Sequence, residues 1–127
     1  MEENKKNSYS EAELQEFKAI ILKKTNSAKE ELQYYQKQIV KYSEEMVESR
    51  SSGLDDGSNT LEKANLNKMA SRFAKHIQHL ENALIRIENK TYGLCRETGK
   101  LISKERLRVV PHTTLSIEAK KAKRNEK

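Results

Sequence analysis

A seven-residue apolar rhythm runs on both sides of a single polar turn, and it restricts this chain to paired helices. From Ala28 the apolar positions advance to Leu32, Tyr35, Ile39, Tyr42 and Met46, in steps of four and three. Past the turn they resume as Leu66, Met69, Phe73, Ile77, Leu80, Leu84 and Ile87. Such steps keep one narrow stripe facing a neighbouring helix, as in a coiled coil. The interruption is Gly53-Leu54-Asp55-Asp56-Gly57-Ser58-Asn59-Thr60, a run of residues that favour turns and cap helix starts. The expected fold is mainly α. A long antiparallel two-helix hairpin should span residues 10–90, with its tip at 49–60.

Each helix carries its own start signal. Ser10-Glu11-Ala12-Glu13 reads as a capping box, with the Ser hydroxyl and the Glu side chain exchanging hydrogen bonds with the first turn. Residues 1–9 precede it and are expected to be disordered or loosely attached. Near Thr25 the rhythm slips, and Ile20 and Leu22 widen the stripe begun by Leu14, Phe17 and Ile21. A wider stripe implies more than one packing neighbour there. The second helix is expected from about Asn59 to about Lys90.

Composition narrows the function classes. Hydrophobic and charged residues each make up 35% of the chain, which suits long helices with a thin seam. No apolar run approaches a membrane span, and Met1–Asn7 is polar, so a cytoplasmic protein is expected. A single Cys, Cys95, excludes an internal disulfide and argues against a cysteine-rich metal site. His76 and His79 lie one turn apart, but no matching cysteines or carboxylates make them metal ligands. The net charge of +6 is concentrated in residues 90–127, which hold eleven Lys/Arg against four Glu. The turn is acidic: Glu44, Glu45, Glu48, Asp55 and Asp56 face Arg50 alone. A basic end suggests a phosphate-bearing or acidic partner, or simply a solvated face.

Tyr92-Gly93 should break the second helix. In residues 91–127, Leu101-Ile102 and Leu107–Val110 read as short β-prone pieces of a ribbon. Leu101, Leu107, Val109 and Leu115 are its expected apolar filling. Thr113 or Thr114 could cap a last helix from Leu115 to about Arg124. A ribbon of this size usually needs a staple such as zinc, and one Cys supplies none.

Tyr92-Gly93-Leu94-Cys95, Thr98-Gly99, Ile102, Arg106-Leu107, Pro111 and Leu115-Ser116-Ile117 with Ala119-Lys120 together resemble the C-terminal finger of the DksA/TraR family. In that family two C-x-x-C pairs, seventeen residues apart, hold a zinc. The four positions here are Cys95, Thr98, Ser116 and Ala119. The spacing is kept and three thiolates are lost, which resembles the cysteine-poor, zinc-independent branch. The resemblance implies a coiled coil projecting from a small base, with a metal-free, zinc-finger-like ribbon and a C-terminal helix.

The resemblance also implies a function. A monomer would bind RNA polymerase directly through its secondary channel, with no membrane and no DNA-sequence recognition. It would modulate initiation, with the alarmone ppGpp as an effector of the stringent response. Asp55 and Asp56 would act at the coiled-coil tip. There Ser52 and Gly57 depart from the family's pattern of acids and alanine. Basic positions that contact ppGpp in the family fall on Arg72, Arg106 and Lys120, while two others become His79 and Val110. The resemblance implies neither a resident cofactor nor an enzyme activity.

The residues themselves leave plainer readings open. Asp55 and Asp56 would also cap the second helix at its positive end. Arg106 could serve an ion pair within the finger. Two other functions fit the outline: a Gre-type factor whose tip acids assist transcript cleavage, and a structural coiled coil or nucleic-acid binder using the basic tail.

Overall fold

The computed structural model describes the backbone of residues 8–52 and 57–125, and the side chains of residues 8–48 and 61–125. Its described helices are α1 (Glu11–Ser52), α2 (Gly57–Glu88), α3 (Lys104–Val109) and α4 (Ile117–Asn125). None of them is long and apolar enough to cross a membrane. The fold is mainly α, a long antiparallel helix pair followed by a small finger-like segment and a terminal helix. The helices come nearer to the turn than the expected tip of 49–60 allows, α1 reaching Ser52 and α2 beginning at Gly57. Asp55 and Asp56 lie outside the described residues.

The start of α1 is built as its sequence suggests. The Ser10 amide donates to Glu13 Oε1 at 2.8 Å, and the Glu13 amide donates back to Ser10 Oγ at 3.2 Å. Two amides that the helix cannot satisfy internally are thereby paired.

The chain forms two compact units, Met1–Thr25 with His79–Lys127, and Asn26–Gln78. The division falls where the apolar rhythm slips. Thr25 itself is buried, and its hydroxyl donates to the Ile21 carbonyl at 2.7 Å. Within Asn26–Gln78, Tyr35 of α1 stacks on Phe73 of α2, with 5.7 Å between ring centroids.

The other unit holds the thicker core. Leu14, Phe17 and Ile21 of α1 pack with Leu80, Ala83 and Ile87 of α2, and with Tyr92, Cys95, Ile102, Leu107 and Ala119. Burying one large aliphatic or aromatic side chain there contributes about 1.5–3 kcal/mol. Phe17 is the aromatic centre, lying 5.5 Å from Tyr9 and 5.4 Å from Tyr92. The Tyr92 hydroxyl donates to the Pro111 carbonyl at 2.8 Å. Ile20 joins the cluster, whereas Leu22 is 43% exposed and widens nothing.

Several expectations for residues 91–127 are corrected. The α2 helix ends before Tyr92-Gly93, because Lys90 adopts a left-handed conformation at φ 62°. The Thr91 amide then donates to the Arg86 carbonyl and the Lys90 amide to the Ile87 carbonyl, the pairing of a Schellman motif. Leu107–Val109 is helix rather than strand. Ser103 caps α3 by accepting from the Arg106 amide at 3.2 Å, and this outweighs the β-branched Val109-Val110 pair. The ribbon is reduced to one bridge, Leu94 with Leu101. Val109 is 73% exposed, and Ile102 takes its place in the core. Ser116, not Thr113 or Thr114, caps the last helix, its hydroxyl accepting from the Ala119 amide at 3.1 Å.

The N-terminal boundary also differs in detail. Tyr9 packs against the core, and its hydroxyl donates to the Ile102 carbonyl. Gly93 makes that approach possible. It has φ +85°, and a Cβ there would stand 2.7 Å from the Tyr9 ring. Ion pairs join α1 to α3 on the surface, Glu13 with Lys104 and Glu16 with Arg108.

Candidate functional site

The four ligand-like positions remain gathered, but as a hydrogen-bonded cluster. Cys95 is 1% exposed, and the Ser116 amide donates to its sulfur at 3.4 Å. Burial pushes the Cys95 thiol up. The Thr98 hydroxyl and the amides of Ser116, Thr98 and Glu97 overcome this, and the pKa falls to about 6. Thr98 Oγ1 also accepts from the Lys100 amide, and Ser116 Oγ caps α4. Ala119 is a buried apolar contact. Each of the four positions therefore has a structural occupation.

A basic hollow lies in the same unit, with a volume of about 470 Å³. Its wall carries Arg86 of α2, Arg96 of the finger loop, Arg106 of α3 and Lys120 of α4, together with His79 and His112. Among the described residues, no carboxylate lines it. Arg86 Nη2 donates to the His112 carbonyl at 3.2 Å, which fixes the guanidinium against the wall. Burial lowers the Arg86 pKa from its usual value, and the group stays cationic. Arg106 Nε is buried and has no hydrogen-bond partner among the described residues. A buried donor left without an acceptor costs about 1–3 kcal/mol, so the wall is better suited to an anion than to solvent-free closure. Guanidinium groups recognise phosphate oxygens through paired N–H donors, and Lys supplies a point charge.

Of the three basic residues singled out in the sequence, Arg106 and Lys120 share this hollow. Arg72 lies in the Asn26–Gln78 unit and lines a separate hollow with Met69, Phe73 and His76. Arg86, Arg96 and His112 were not singled out. Arg86 follows His79 by seven residues and so shares its helix face, a signal the sequence did contain. Arg96 and His112 come from loops, and nothing in their spacing marks them.

Residues 90–124 match the family model described as the prokaryotic dksA/traR C4-type zinc finger. The RNA polymerase-binding transcription factor DksA of Caulobacter vibrioides, strain NA1000 / CB15N, is 32% identical over 91 residues. The finger segment is similar to the zinc finger of the DksA/TraR family. That alignment covers 72% of this chain and 64% of the Caulobacter relative's own length. The same protein from strain ATCC 19089 / CIP 103742 / CB 15 matches equally. The solved structure of transcription factor DksA2 from Pseudomonas aeruginosa shares the fold, with a TM-score of 0.78 at 22% identity. The likeness covers 92% of this chain and 87% of that one.

The C4 description of the DksA/TraR finger implies a zinc, and the residues here do not fit one. Structural zinc requires about four donors, and Cys95 is the chain's one thiol. Thr98 and Ser116 are engaged as described, and Ala119 has no donor side chain. Among the described residues, no three His, Cys, Asp or Glu are grouped to hold a metal ion.

Proposed function

We propose that this chain is a regulator of transcription that binds RNA polymerase directly. The carrying observation is the joint match of the finger and of the helix-pair fold to the DksA relatives. The Caulobacter relatives are named for binding RNA polymerase. In this reading the helix pair enters the secondary channel and the acidic tip, Asp55 and Asp56, acts near the catalytic centre. The protein works as a cytoplasmic monomer, modulates initiation without reading DNA sequence, and performs no chemistry of its own.

The basic hollow supports a second element of the proposal. Arg106 and Lys120, with Arg86 and Arg96 beside them, would take the phosphates of ppGpp when polymerase completes the site.

Binding to purified core polymerase tests the main reading directly, and co-elution at micromolar concentrations is expected. In transcription from a sensitive promoter, a D55N/D56N variant should still bind polymerase and fail to alter initiation. Asn keeps the capping capacity and removes the charge. A fully active variant would reduce the two residues to helix caps. R106Q/K120Q should blunt the ppGpp effect while largely keeping polymerase affinity. Transcript cleavage in a stalled elongation complex, abolished in D55N/D56N, would replace this reading with a Gre-type factor.

A further inference from the structure

The α1 helix carries a second stripe besides the seam that packs on α2. The seam is fixed by Tyr35, which stacks on Phe73 of α2. Away from it, Lys37, Val40, Lys41, Glu44, Val47 and Glu48 follow the spacing of one helix face. All six are exposed, Val40 at 58% and Val47 at 64%. An open hollow of about 500 Å³ runs along this face, and among the described residues only α1 lines it. The ion pairs of the described residues lie elsewhere, at Glu11, Glu13, Glu16 and Glu97.

The order of charges along this face is self-complementary. Lys37 and Lys41 come first, Glu44 and Glu48 follow, and the four are placed symmetrically about the point between Tyr42 and Ser43. Read backwards, the face carries the opposite sign at each charged position. A second copy lying antiparallel along α1 therefore sets Lys37 opposite Glu48 and Lys41 opposite Glu44. Two-fold symmetry supplies each pair twice. A parallel copy would set Lys against Lys and Glu against Glu.

The valines obey the same two-fold. At helical rise, Val40 of one copy falls about 3 Å along the axis from Val47 of the other, close enough for aliphatic contact. On each helix the valines occupy one edge of the face and the four charges the other. The two-fold keeps like edges together, so the valines cover one another beside the ion pairs.

We infer that this face of α1 pairs with the same face of a second copy, antiparallel, in the free protein. The inference does not rest on the polymerase reading, in which the dissociated monomer acts. From Lys37 to Glu48 the face is about 17 Å long, well short of the interface of a stable dimer. The pairing is accordingly weak and concentration-dependent, and salt weakens it further because its ion pairs are exposed.

Sedimentation equilibrium of the full chain, from micromolar to millimolar concentration, should show a reversible monomer–dimer equilibrium that moves toward monomer as salt is raised. K37E/K41E should abolish the dimer. K37E/K41E/E44K/E48K reverses the charge pattern while keeping its symmetry, and should restore the dimer. Circular dichroism should be the same in all three proteins, since the substituted side chains are exposed. Cross-linking reads the orientation, with the native Cys95 buried. Oxidised V40C/V47C should form covalent dimers. V40C alone should not, because the two copies of that position stand about 7.5 Å apart along the axis. A monomer at every concentration would overturn the proposal. So would a dimer that survives in K37E/K41E, a fourfold exchange that fails to restore it, or cross-linking of V40C alone. All of these outcomes leave the polymerase reading where it stands.

Discussion

The backbone amide of Ser116 donates to the sulfur of Cys95 across 3.4 Å, joining the two halves of the finger-like segment. Where family members of the C4 type have four thiolates around an ion, this chain has one sulfur surrounded by N–H and O–H donors. The sulfur serves as a common acceptor rather than a ligand.

Removal of that acceptor should be felt. C95A leaves the Ser116 amide and its neighbours facing an apolar methyl, and should cost about 1–3 kcal/mol in chemical denaturation. C95S keeps an acceptor and should lose less. Treatment of the parent with a zinc chelator should leave circular dichroism and melting temperature unchanged. Stoichiometric zinc in the purified protein, with unfolding on its removal, would refute the hydrogen-bonded account.

The two turn glycines should separate by environment. Gly93 and Gly99 both have positive φ, so an alanine is strained at either by about 1 kcal/mol. At Gly99 nothing lies within 4 Å of an added Cβ, and G99A should show that strain alone. At Gly93 the Tyr9 ring is in the way, so G93A should be clearly worse than G99A in thermal melts. Combining G93A with Y9A should recover part of the difference.

Lys90 offers the opposite test. It holds the left-handed position where helices usually end in glycine. K90G should stabilise the protein by up to about 1 kcal/mol, against the loss of an exposed ion pair with Glu11 at 3.6 Å. A destabilised K90G would mean that the ion pair outweighs the backbone strain.

Glu13 sets the acid side of the stability profile. The Lys104 ammonium, followed by the Ser10 amide, holds its carboxyl down at about 2. A depressed carboxylate contributes stability that is complete above its unfolded-state value, near 4.5, and is lost as pH falls toward 2. The melting temperature of the parent should therefore decline across that window. In E13Q the decline should be shallower, because the titrating group is gone.

What the sequence revealed followed from local rules. The capping box of Ser10 and Glu13, the seam through Tyr35 and Phe73, and the break in rhythm at Thr25 all rest on neighbours within a few turns. Misreadings arose where contacts are distant. Val109 and Val110 have strand propensity, but a strand needs a partner, and Leu94 bridges only to Leu101. Tyr9 carries no local signal, and its place is decided by Gly93 and Ile102, over eighty residues away. The basic hollow was half legible for the same reason. Arg106 and Lys120 were matched by motif and Arg86 shares the helix face of His79, while Arg96 and His112 join them through the fold alone.

The division at Thr25 has a bearing on how the protein is made. One unit is assembled from both ends of the sequence, Met1–Thr25 and His79–Lys127, while the other is the continuous stretch between them. On a ribosome the first segment emerges early and must wait. Phe17 and Ile21 have no finger to pack against until Tyr92, Ile102 and Leu107 have been synthesised. The intervening stretch is continuous and can complete its own short-range pairings meanwhile. The last step of folding during translation is then closure of the discontinuous unit, and nascent chains stalled before Leu107 should leave its N-terminal helix segment open to proteases.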